Sequence, residues 1–281
     1  MKLLIEYLIQ GVLIGTTYGL VALPISVVYA TTHSVDAAVG AHAVVPAVVA
    51  WHVGGVLGLV VGLGAAALSA SAVALIFVAL RRRGASDPIS IVLATFGAAF
   101  ALESIVLWRH GRDPVIDQPT WQFWDVGGIR LNPQSLLNLA IGVAVMLVLV
   151  LVLQRSGVGR ALRASADNPI GAGLAGLAVE RLQFLAILMG GVLAGVAGLL
   201  LLRTTGMTYS SGMHLTLTAI GAAVIFGFKG PLHGFAGGVL LGVVEALVGG
   251  YSSGGLAQAI PFLFILVVLG TNRGVVSAAR P

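Results

Sequence analysis

Three acidic side chains stand inside long apolar runs: Asp36, Glu103 and Glu245. A carboxylate in hydrocarbon is costly, about +2.5 to +3.5 kcal/mol for Asp at a helix centre. Such a group marks a pathway or a partner more often than it decorates a span. Glu103 and Glu245 each lie about five residues from an end of their run, where snorkelling or an interhelix pair would also serve. His33 precedes Asp36 by three residues and His42 follows it by six. His33 and Asp36 share a face if that stretch is helical. A proton relay or a metal site would use such groups, but a convincing third ligand is missing, so no metal is expected. His110, His214 and His233 are scattered near run ends, where solvated or capping roles suffice. The absence of cysteine excludes disulfides, thiolate metal sites and cysteine nucleophiles. No reactive pair is evident by spacing, so an intramembrane enzyme has little to work with.

The elements that must carry these groups follow from composition. The chain has 281 residues, 58% apolar and 9% charged, with a mean hydropathy of +1.04. Soluble domains carry about 25% charged residues, so a soluble enzyme is excluded. Disorder is excluded too, because it needs low hydrophobicity. The fold class is an all-α polytopic membrane protein, read as a single transmembrane domain over 1–281. Spans are expected at 7–30, 35–51, 53–80, 89–108, 136–153, 182–204, 214–228, 231–250 and 257–270, nine in all with a range of seven to ten. The first is too long for a signal-peptide core and is expected to be retained. The segments 35–51, 214–228 and 257–270 are short, and each is a tilted span or a re-entrant half-helix.

Nine spans separate the termini. Ten cations fall on one side: Arg81, Arg82, Arg83, Arg155, Arg160, Arg163, Arg181, Lys229, Arg273 and Arg280. Five fall on the other: Lys2, Arg109, Arg112, Arg130 and Arg203. The positive-inside rule makes the first side cytoplasmic, with the N-terminus outside and the C-terminus inside. That distribution accounts for the pI near 10.1 through membrane lipid and sidedness, without nucleic acid. The 109–135 loop then lies outside, with Trp108, Trp121 and Trp124 at the membrane–water boundary.

Glycines recur every four residues at Gly11, Gly15 and Gly19, at Gly54, Gly58 and Gly62, at Gly191 and Gly195, and at Gly234, Gly238 and Gly242. Each set lies on one helix face and allows close backbone approach, the main resource for helix packing in lipid. A tight bundle is expected, not a wide pore. Pro24, Pro46 and Pro261 fall inside or at the edge of spans and can kink or break them.

The 154–181 segment is the one long loop on the basic side. Asn168 followed by Pro169 is a helix start, a capping residue and then proline at the first helical position. Two short helices are expected at about 158–166 and 169–177, with Arg160 and Arg163 on one face. They could dock on the inner membrane surface or on a cytoplasmic subunit.

In this loop Gly159, Ala161, Arg163, Ala164, Asn168, Ala172, Leu174, Gly176, Val179 and Arg181 resemble the coupling region of ABC-importer permeases of the branched-chain amino acid type, the LivH/LivM family. The resemblance continues through Leu193-Ala-Gly-Val-Ala-Gly-Leu199 and Gly227-Phe-Lys-Gly-Pro-Leu-His-Gly234. It runs on through Gly237-Gly-Val-Leu-Leu-Gly-Val-Val-Glu245 and Asn272-Arg-Gly274, and Gly15-Thr-Thr-Tyr-Gly-Leu-Val-Ala22 also fits. It implies a permease subunit for branched-chain amino acids or a related small polar solute in the bacterial inner membrane. It also implies a second permease, identical or homologous, cytoplasmic ABC ATPase subunits and an external substrate-binding protein. Arg160, Arg163, Asn168, Leu174 and Arg181 are the implied contacts to the ATPase, and the chain itself is no enzyme and needs no cofactor. No phosphate-binding loop occurs in it, which agrees with a separate motor.

One stretch departs from the pattern. Where the family has Arg-x-x-Asn-Phe-Ala-His-Gly-Glu, this chain runs from His33 to Ala41, with Asp36 at the Asn position, Val39 at the His and Ala41 at the acidic one. Ala38 and Gly40 fit. The candidates for the translocation path are His33, Asp36, Gly40, Glu103 and Glu245. A self-contained channel or secondary transporter, for a solute such as urea, is the alternative. It would need a complete filter or ion site, for which three scattered carboxylates are thin material.

Overall fold

In the computed structural model, residues 2–84, 87–117, 119, 124–126, 129–251, 263–264, 266–267 and 270 are described. Among them are ten helices: α1 (Lys2–Thr32), α2 (Val39–Val53), α3 (Gly55–Arg82), α4 (Pro88–His110), α5 (Pro133–Arg155), α6 (Gly157–Asp167), α7 (Pro169–Leu174), α8 (Val179–Leu202), α9 (Ser211–Ile225) and α10 (Pro231–Tyr251). A small antiparallel hairpin, β1 (Trp124–Val126) and β2 (Ile129–Leu131), lies within the 109–135 loop.

Six helices, α1, α3, α4, α5, α8 and α10, are long and apolar enough to cross a membrane. The predicted spans 35–51 and 214–228 correspond to α2 and α9, each of 15 residues. At 1.5 Å per residue such a helix is only about 22 Å long, short of the roughly 30 Å hydrocarbon core. The ninth predicted segment, 257–270, and Pro261 with it, lie mostly outside the described residues.

The bundle has a basic end and an opposite end. At the basic end Arg81 donates to Thr32 O, Arg82 pairs with Glu180, and the rings of Tyr29 and Phe228 stack 4.2 Å apart. At the opposite end His52 meets His110, Tyr7 meets Tyr251, and Arg203 faces Asp117. Both short helices begin inside the bundle. The chain leaves α1 at the basic end and runs through the non-helical residues 34–38, all but Val35 buried, into α2, which ends at the opposite end. It leaves α8 at the opposite end and turns inward through 203–210 into α9. Irregular backbone is tolerated at depth only where protein satisfies it. Thr95 Oγ1 accepts from Ala37 N at 3.1 Å, Asp36 Oδ1 from Ala38 N at 2.9 Å, and Thr216 Oγ1 donates to Ala37 O at 3.2 Å.

The glycine ladders are the packing surfaces. Gly11, Gly15 and Gly19 of α1 lie against the α10 backbone at Val243, Val239 and Phe235, and Gly242 and Gly238 lie against Gly15 and Gly19 in return. Gly58 and Gly62 of α3 sit on the Ala50 and Pro46 carbonyls of α2, whereas Gly54 does no packing and forms, with Gly55, the left-handed reversal between α2 and α3. Gly191 and Gly195 of α8 receive Ala70 and Ala66 of α3. Pro24 and Pro46 are accommodated inside α1 and α2.

Candidate functional site

The two short helices start inside the bundle and meet there. Gly40 of α2 lies so close to Gly212 of α9 that a Cβ on Gly40 would overlap the Gly212 carbonyl, and a Cβ on Gly212 would meet the Glu103 carboxylate. Thr216 Oγ1 accepts from Gly40 N at 3.0 Å across the contact. The first-turn donors of a helix need partners, and carboxylates serve both starts. Asp36 holds the α2 start through Ala38 N, and Glu103 of α4 accepts from Met213 N at the α9 start.

Asp36 faces His42 rather than His33. Asp36 Oδ2 lies 3.7 Å from His42 Nε2, with the two side chains 2% and 0% exposed. His42 Nδ1 is 3.0 Å from Ser69 Oγ, which donates its one proton to Ala66 O at 3.0 Å. Nδ1 is therefore the donor to Ser69, and Nε2 is turned to the carboxylate. His33 is exposed beyond the end of α1 with a positive φ of 53° and touches neither group. The expected shared face of His33 and Asp36 is absent because α1 stops at Thr32 and the next turn is not helical. Glu245 of α10 accepts a hydrogen bond from Tyr18 of α1. The path candidates thus do not converge: Asp36, Gly40 and Glu103 gather where the short helices meet, Glu245 lies on the α1–α10 seam and His33 lies at the surface.

A cavity of about 370 Å³ lies between α1, the start of α5, the end of α8, the 203–210 turn and the start of α9. Thr17, Tyr18, Asn132, Ser135, Asn138 and His214 are among its polar lining. Asn138 is fixed by Gln134, whose Nε2 donates to its Oδ1 at 2.9 Å, and by its own bond to Leu200 O at 3.2 Å. The wall formed by Gly206 and Met207 is pinned through paired backbone bonds between Val115 and Met207, both 2.8 Å. None of these groups was among the path candidates. Their one sequence signal is the Gln134/Asn138 pair, an i,i+4 amide pair at the mouth of an apolar run.

At the basic end α6 and α7 lie close to the expected 158–166 and 169–177, α7 ending earlier. Asn168 Oδ1 accepts from Gly171 N at 2.8 Å, capping α7 with Pro169 in its first turn. Arg160, Arg163, Asn168, Leu174 and Arg181 are all exposed. Arg160 and Arg163 donate to Arg155 O at 3.3 Å and Gln154 O at 3.5 Å, so both serve the terminal carbonyls of α5. The apolar side of α6 is buried through Leu162 and Ala166, while α7 turns Ile170 (77% exposed) and Leu174 (86%) outward. These two line a groove with Leu177, Arg181 and the Arg82–Glu180 pair.

The chain is similar to known proteins over nearly its whole length. Residues 7–269 match the family described as branched-chain amino acid transport system, permease component. The high-affinity branched-chain amino acid transport system permease protein LivH of Escherichia coli K12 is 26% identical over 284 residues, covering 94% of this chain and 92% of that one. BraD of Pseudomonas aeruginosa, a permease protein of the same description, is 26% identical over 296 residues, covering 96% and 95%. The solved structure of PsaBC from Streptococcus pneumoniae in complex with Fab covers 96% of this chain and 91% of its own, at 15% identity and a TM-score of 0.49, too distant to bear on the site. With nearly its whole length matched, this chain belongs to the family of branched-chain amino acid transport permease components.

Proposed function

We propose that the chain is the transmembrane permease subunit of an ATP-driven importer for branched-chain amino acids or a closely related small polar solute, in the bacterial inner membrane. It works beside a second permease, with cytoplasmic ATPase subunits below and an external substrate-binding protein above. The observation that carries the reading is the exposed Ile170–Leu174 ridge of α7 beside the Arg82–Glu180 groove, at the end where the cations collect. An apolar ridge of that kind in a polar surround suits a protein partner. That end is then cytoplasmic by the positive-inside rule, the N-terminus is outside and the C-terminus inside.

In this mechanism the ATPase grips α7. Leu162 and Ala166 seat α6 against the bundle, so movement of α7 passes into the ends of α5 and α8. From there it reaches the meeting point of α2 and α9 through the glycine-packed helices. Discontinuous helices at mid-depth are suited to alternating access, because they reorient without breaking a long hydrogen-bond ladder. Proteoliposomes holding both permeases and the ATPases, supplied with the binding protein, take up leucine only with ATP. Uptake by this chain alone, without nucleotide or companions, would overturn the reading.

A further inference from the structure

We propose that the cavity between α1, α5 and α9 is a solute-binding site within this chain, for net-neutral amphipathic solutes. This rests on the permease reading above. Its volume of about 370 Å³ falls within the range of small-molecule sites. It is also a built site. Thr17 (6% exposed) and Asn138 (1%) are buried polar side chains on its wall, and Asn138 is held in place by Gln134 and Leu200 O.

The lining has two characters. Asn132, Ser135 and Asn138 bring amide and hydroxyl groups, and Thr17 Oγ1, whose proton goes to Ile14 O, can accept. Leu13, Ile14, Leu201, Met207 and Leu215 form apolar walls beside them. Among the described residues no Asp, Glu, Lys or Arg lines the cavity, His214 being its one titratable imidazole, and Glu245, behind Tyr18, is engaged by that hydroxyl. A net charge entering such a site would lose hydration without a counter-charge. A zwitterion with an aliphatic side chain satisfies both characters, its ammonium and carboxylate on the hydroxyls and amides and its side chain on the leucines. The cavity sits at the end opposite the basic one, between the fixed 203–210 turn and the start of α9. Solute arriving there would rest directly above the junction of the two short helices.

The natural absence of cysteine makes a direct test available. Ser135→Cys and Thr205→Cys are introduced singly into the full permease–ATPase complex in proteoliposomes and treated with a membrane-impermeant thiosulfonate, with Asp113→Cys at an exposed position of the 109–135 loop as control. Leucine at about ten times its Kd is expected to slow labelling of both cavity cysteines about tenfold. Lysine and glutamate at equal concentration leave the rate within about twofold of the unliganded value. Leucine uptake that continues while labelling is unprotected would overturn the cavity site and leave the permease reading standing. Equal protection by lysine or glutamate would overturn the net-neutral class. A complex with the unsubstituted chain that takes up no leucine from its binding protein would remove the permease reading, and the cavity site with it.

Discussion

Asp36 Oδ2 and His42 Nε2 stand 3.7 Å apart in a fully buried pocket, and neither atom has a hydrogen-bond partner among the described residues. With His42 Nδ1 turned to Ser69, Nε2 and the carboxylate face each other, and one proton on either of them would relieve two opposed acceptors. Meanwhile Asp36 Oδ1 holds the α2 start.

An asparagine at position 36 can do both tasks, since its oxygen accepts from Ala38 N and its amide donates to His42 Nε2. Asp36→Asn is expected to stay within about 1 kcal/mol of the natural chain and to keep transport. Asp36→Leu leaves both neighbours unmet and should lose about 1–3 kcal/mol for each buried group. Thermal unfolding in detergent reads the stability and vesicle uptake reads the function. Loss of transport by a stably folded Asp36→Asn would show that the titrating proton itself is used.

Glu103 admits a parallel argument. Its carboxylate accepts from Met213 N at the α9 start. Glu103→Gln keeps an acceptor there and should keep both melting temperature and uptake. Glu103→Leu exposes an unmet donor at depth and should cost about 1–3 kcal/mol. Uptake lost in Glu103→Gln at unchanged stability would assign the carboxylate to the solute path instead.

The glycine ladders predict opposite signs for one substitution. A Cβ at Gly242 would run into the Gly15 backbone, so Gly242→Ala should destabilise by about 1–3 kcal/mol through overpacking. Gly64, in the middle of α3, has nothing within 4 Å of the position its Cβ would take. Gly64→Ala should gain about 0.5–1 kcal/mol from reduced chain entropy. Paired melts of the two variants check the sign.

The positions of the long spans were legible in the sequence because apolar length alone decides them. The α1–α10 and α3–α8 faces were legible because glycine every four residues has one geometric meaning on a helix. Asn168-Pro169 announced α7 for a similarly local reason. The arrangement around Asp36 was not legible. Its partner depends on where α1 ends, and Ala37 is held in a non-helical path by Thr95 and Thr216, which are 58 and 179 residues away from it in sequence. The cavity was missed because charged residues drew the search, whereas the cavity is lined by neutral hydroxyls and amides on four separate elements.

The basic-end loop separates two kinds of exposed residue that sequence placed in one group. Arg160 and Arg163 point back to the α5 carbonyls, so Arg163→Ala should loosen α6 slightly, by about 1.5–3 kcal/mol at most for a charge-assisted bond and less at this exposed site. Ile170 and Leu174 make no such internal bond and stand outward on α7. Leu174→Asp should leave the permease folded and inserted yet abolish co-purification with the ATPase, while Arg163→Ala retains it. Asn168→Ala should fall between them, because loss of the cap costs about 1 kcal/mol and frays the helix that presents the ridge. Pull-down of the ATPase by each tagged variant from the same membranes decides the order. Retention of the ATPase by Leu174→Asp, with loss in Arg163→Ala, would move the contact from α7 to α6.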